Sequence, residues 1–119
     1  MAFEVTDENL EELKVSNKVV LVDVWAEWCG PCKILVPVID ELAEDNKDVE
    51  GVLVGKANVD ETAGISETYK IRSIPTVLVF KNGEVVETII GAHPKKKYQD
   101  LLDKHNNDVD GNFDGDEDF

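Results

Sequence analysis

The chain is poor in residues that staple or span: it has two cysteines and two histidines among 119 residues, and no apolar run near the roughly 20 that a bilayer-crossing helix requires. Residues 1–12 lack the positive start and apolar stretch of a secretory leader, so a cytoplasmic address and no membrane contact are expected. Thiols stay reduced in that compartment, where a lone cysteine pair points to catalysis or metal binding rather than a structural staple. A structural zinc takes four ligands, and only His93 and His105 remain to join the cysteines, so no metal site is expected. Basic side chains are also scarce. Twelve Lys and Arg stand against 26 Asp and Glu, a net charge of -14 that repels nucleic acid and anionic membrane surfaces.

What is present fits one domain. With 42% hydrophobic and 32% charged residues, a chain of this length can bury a single core and is cramped for two. The charge is uneven: from Asn106 onward come Asp108, Asp110, Asp114, Asp116, Glu117 and Asp118, with no basic residue. Few apolar groups and high charge predict a disordered acidic tail over 106–119, behind a folded domain at 1–105. Asp108, Asp110 and Asn112 take the first, third and fifth places of a calcium loop. Phe113 replaces its turn glycine and Phe119 its closing glutamate, so weak calcium binding or none is expected.

Periodicity outlines the fold. Val19-Val20-Leu21-Val22-Asp23-Val24-Trp25 is β-branched and continuous rather than alternating, the pattern of a strand buried on both faces. Ile34, Leu35, Val38, Ile39 and Leu42 follow at helical spacing, predicting an amphipathic helix kinked at Pro37. Residues 52–59 read as a second core strand, which completes a parallel crossover unit. A short helix near 63–69 leads to Ser73-Ile74-Pro75, a strand at 76–80, Asn82-Gly83, and a strand at 85–90. Asn-Gly between two apolar runs signals a hairpin, because both central turn residues need positive φ. Pro94 suits the first turn of a last helix carrying Tyr98, Leu101 and Leu102; Leu10 and Leu13 mark a first helix, and 3–5 a short strand. No internal repeat is visible.

Trp28-Cys29-Gly30-Pro31-Cys32 falls where the buried strand ends and the helix begins. Unpaired backbone N–H groups and the positive end of the helix dipole stabilise an anion there, so Cys29 is expected to hold extra thiolate and act as nucleophile. Cys32, one turn on, is placed to attack a mixed disulfide at Cys29 and release reduced substrate. A purely structural bond would close a four-residue loop worth only about 2 kcal/mol on the chain-entropy formula. Asp23 stands out as a carboxylate inside an apolar strand, costly to ionise and so expected to have a raised pKa.

The segment Val24-Trp25-Ala26-Glu27-Trp28-Cys29-Gly30-Pro31-Cys32-Lys33, with Arg72-Ser73-Ile74-Pro75-Thr76 and Phe80-Lys81-Asn82-Gly83 downstream, closely resembles the thioredoxin family over roughly 3–105. The resemblance implies a thioredoxin fold, an α/β architecture whose central mixed β-sheet is flanked by helices on both faces. It implies a protein-disulfide reductase that binds no cofactor, carries its electrons in the Cys29–Cys32 pair and works as a monomer. Its electrons would come from NADPH through a flavoprotein thioredoxin reductase, and its clients would be disulfide-containing proteins. The family pattern makes Pro75 a cis proline facing the cysteines and has Ile74 offer its backbone to the substrate as an added strand. It sets Asp23 beneath Cys32 as a general base working with Lys56, through water. Trp28, Gly30, Pro31, Val59, Gly91 and Ala92 match the family's docking surface. The other class of function is a binding module whose cysteines are incidental to its partner contacts; the complete motif with Asp23, Lys56 and Pro75 favours the enzyme.

Overall fold

The computed structural model describes residues 1–107, and the tail and calcium-loop positions from 108 onward lie outside the described residues. Five strands, β1 (Phe3–Glu4), β2 (Val19–Trp25), β3 (Val52–Asn58), β4 (Thr76–Lys81) and β5 (Glu84–Ile90), form one sheet in the order β1-β3-β2-β4-β5. The first three run parallel, while β4 and β5 are antiparallel to their neighbours. The helices are α1 (Leu10–Ser16), α2 (Gly30–Asp45), α3 (Ala63–Thr68) and α4 (Lys95–Asn106).

The continuous apolar run of β2 has its explanation in this order: the strand sits between β3 and β4, and every residue from Val19 to Val24 is buried. Side chains alternate across it. Val19 and Leu21 face a core shared with Leu35, Ile39 and Leu42 of α2 and with Tyr98 and Leu102 of α4. Val20, Val22 and Val24 face the opposite core, with Leu10 of α1 and Ile65 of α3. By the same alternation Asp23 belongs to the α2 and α4 side. Leu35, Ile39 and Leu42 recur at spacings of four and three and are fully buried, each side chain stabilising the helix's seat by about 1.5–3 kcal/mol.

The hairpin forms at Asn82-Gly83, whose φ angles are 52° and 88°. Two details differ from the sequence reading. Val59 does not extend β3 but opens a 3-10 turn over Val59–Glu61, with the Asn58 side chain accepting the Asp60 N–H at 3.0 Å. Pro94 caps α4 from outside instead of occupying its first turn. Helix α2 carries Pro37 inside its span, where the missing N–H leaves one turn without its ladder bond.

Candidate active site

The handover from β2 to α2 creates the site. Cys29 is the N-cap of α2, with extended backbone at φ -98° and ψ 114°, and its Sγ accepts the Cys32 N–H at 3.2 Å. Pro31 lies in the first turn, where a missing N–H costs no helical bond. Cys29 and Cys32 are joined as a disulfide with Cα atoms 5.2 Å apart, within the span such bonds need. The bond is lopsided: Cys29 keeps 7% of its surface and Cys32 none.

Around the pair pack Ala26, Trp25, Val59 and Ile74. The carbonyl oxygen of Ile74 lies 3.8 Å from Cys29 Sγ, the Ile74–Pro75 peptide is cis, and the Pro75 carbonyl accepts the Gly91 N–H at 2.9 Å. Gly91 has φ +90°, a conformation that a side chain would strain. A Cβ built on Gly30 would meet nothing within 4 Å, so the chain's own packing does not require glycine there, and the bare backbone leaves open space beside the disulfide. Trp28 is 69% exposed and is anchored by its Nε1–H to Asp60 Oδ2 at 3.0 Å. Ala92 is exposed next to Gly91.

Asp23 is fully buried, and neither carboxyl oxygen has a hydrogen-bond partner among the described residues. Burial pushes its pKa up to about 7, with the positive charge of Lys56 pulling down and the negative charge of Asp40 adding to the rise. Lys56 is the register partner of Asp23 on β3. Its Nζ, however, pairs with Asp40 Oδ1 at 3.6 Å and lies 5.6 Å from the centre of the Trp25 ring, so Asp23 feels Lys56 through space rather than across a direct ion pair. The structure thus packs Val59 and Ile74 against Cys29 and Cys32, joins Gly91 to the neighbouring Pro75, and sets Asp23 and Lys56 side by side on neighbouring central strands.

Sequence reasoning missed Asp40, Asp60 and the hydroxyl of Tyr98. A carboxylate on a helix or turn reads as solvated surface, and only the fold brings Asp60 to Trp28, 32 positions earlier. Tyr98 reads as one more apolar position of the last helix.

A redox-active disulfide at a helix N-cap, backed by a cis-proline loop on a mixed sheet, defines a dithiol–disulfide oxidoreductase. The family model described as Thioredoxin matches residues 1–104, and the chain belongs to the thioredoxin family. It is 50% identical over 105 residues to a thioredoxin from Chlorobaculum thiosulfatiphilum, covering 87% of this chain and 94% of that one. It is 52% identical over 104 residues to the chloroplastic M-type thioredoxin of Spinacia oleracea, covering 86% of this chain and 56% of the relative. The solved structure of a mutant thioredoxin from Halobacterium salinarum NRC-1 superposes with a TM-score of 0.80 at 34% identity, covering 91% of this chain and 93% of the other. Relatives and cysteine geometry together support protein-disulfide reductase activity. Among the described residues no cluster of three or more His, Cys, Asp or Glu could hold a metal ion, and no helix is long and apolar enough to cross a membrane.

Proposed function

We propose that Cys29 and Cys32 divide the reduction of client disulfides between them. The Cys29 thiolate attacks one sulfur of the client bond, forming a mixed disulfide and releasing the first client thiolate. Cys32 loses its proton and attacks Cys29 Sγ, releasing the second client thiolate and leaving Cys29–Cys32 oxidised, so two electrons pass to the client. The one-sided exposure of the pair carries this assignment, since a protein disulfide can reach Cys29 and not Cys32.

Asp23 acts as general base for Cys32 through water, and Lys56 tunes it. A carboxyl with a pKa of about 7 is matched to accepting a proton near neutral pH. The client lies as an extended segment along the Ile74 backbone, over Trp28, Gly30, Pro31, Val59, Pro75, Gly91 and Ala92. A flavoprotein thioredoxin reductase fed by NADPH restores the dithiol, and the chain works as a monomer in the cytoplasm, where thiols are kept reduced.

The test is the rate of insulin disulfide reduction with dithiothreitol as electron source, comparing the intact chain with Cys29→Ser. Acceleration by the intact chain alone is expected. Acceleration by neither would favour a binding module whose cysteines are incidental.

A further inference from the structure

Helix α4 carries a buried hydroxyl that the chemistry above does not use. Tyr98 is fully buried, its ring packed in the core between the sheet and α2. A phenylalanine ring would fill that volume as well, so the oxygen requires its own explanation. A buried hydroxyl is costly without partners, and this one finds both in the loop between β5 and α4. It accepts the His93 N–H at 3.1 Å and donates to the Gly91 carbonyl at 3.4 Å.

That loop is hydrogen-bonded to the segment that lies against the disulfide. Gly91 N–H reaches the Pro75 carbonyl at 2.9 Å, and the preceding Ile74 carbonyl stands 3.8 Å from Cys29 Sγ. The loop is braced a second time by His93, whose Nε2 is 3.1 Å from the Ile90 carbonyl and whose ring meets the Tyr98 ring edge-on at 6.3 Å. A continuous path therefore runs from the Tyr98 hydroxyl through Gly91, Pro75 and Ile74 to the Cys29 sulfur.

We propose that Tyr98 is a positioning residue for client docking: its hydroxyl ties Gly91 and His93 to the core, so the wall facing Cys29 is already set when a protein client arrives. Ordering backbone costs entropy, and a wall fixed in advance spares the client that cost. The inference rests on the docking role proposed above for Gly91 and Ala92. A small disulfide reagent reaches Cys29 without lying along the wall, so the tether matters for protein clients.

The experiment uses the full chain and Tyr98→Phe, which keeps the ring. Two quantities are read: amide hydrogen exchange at His93, and kcat and KM with insulin and with 5,5'-dithiobis(2-nitrobenzoate). Loss of the tether is expected to speed exchange at His93 and to raise KM for insulin by about three- to tenfold, the range one lost hydrogen bond gives. The ratio of insulin to small-disulfide kcat/KM falls by the same factor. An unchanged insulin KM, or an equal loss on both substrates, would overturn the positioning role while the reductase reading stands. An intact chain inert on both disulfides would overturn that reading, and this inference with it.

Discussion

At the scale of single residues, Asp23 makes its own contribution to stability depend on pH. Its pKa is about 7 in the folded chain against an ordinary value of 3.8, because burial penalises the charged form more than Lys56 favours it. Between those values the folded state holds a proton on Asp23 that the unfolded state has lost, so the Asp23 contribution to stability falls as pH rises from about 4 to about 7 and is level above. Asp23→Asn removes this penalty. The variant is expected to be more stable than the parent at pH 8 by up to about 4 kcal/mol, with the gap closing below about pH 4, as read from urea unfolding at both values. An equal gap at both would show that Asp23 is not held protonated by the fold. The burial of Asp23 was legible in the sequence, because a carboxylate between Val22 and Val24 has nowhere wet to go. Its electrostatic surroundings were not. Asp40 lies on α2, 17 positions beyond Asp23, and only the packing of α2 over the sheet brings it to Lys56, where it draws that Nζ into its own ion pair.

At the scale of elements, the site depends on where the strands and helices end. Cys29 caps α2 because β2 stops at Trp25, and the short loop between them delivers the sulfur to the helix N-terminus. Strand β1 is only two residues long and is held against β3 by close contact at Gly55. A Cβ there would stand 2.6 Å from Val5 Cγ2 and 2.8 Å from the Phe3 backbone oxygen, and the backbone atom cannot move aside cheaply. Gly55→Ala is expected to cost about 1–3 kcal/mol, the usual range for overpacking, measured as a lowered urea midpoint. An unchanged midpoint would show that β1 contributes little. Most elements were legible because their signals are local: the buried run of β2, the helical spacing after Cys32, and Asn-Gly between β4 and β5. The turn at Val59–Glu61 was hidden because Val59 keeps the polar–apolar alternation of Lys56, Ala57 and Asn58, and the asparagine that ends the strand acts through a side-chain bond that periodicity does not register. The placement of β1 beside β3 depends on long-range pairing, which no local pattern encodes.

At the scale of the whole molecule, two sulfurs are presented unequally by a sheet and helices that hold every other part of the site in place. The proposed division of labour has Cys29 attack and Cys32 resolve, and the sequence suggests it because the whole motif lies within a few residues at a strand-to-helix junction. The proposed docking wall comes from family resemblance alone, since Ile74, Pro75 and Gly91 come from segments more than 40 residues beyond Cys29 and are linked to it only in the fold. The most direct test of the division of labour is to mix reduced Cys32→Ser with an excess of a disulfide-bonded protein client, quench with alkylating agent, and map the captured bond by peptide mass spectrometry. A stable mixed disulfide at Cys29, formed in high yield by Cys32→Ser and in trace amounts by the intact chain, is the predicted result. Rapid turnover by Cys32→Ser with no captured complex, or capture through Cys32 in the reciprocal Cys29→Ser chain at equal rate, would contradict it.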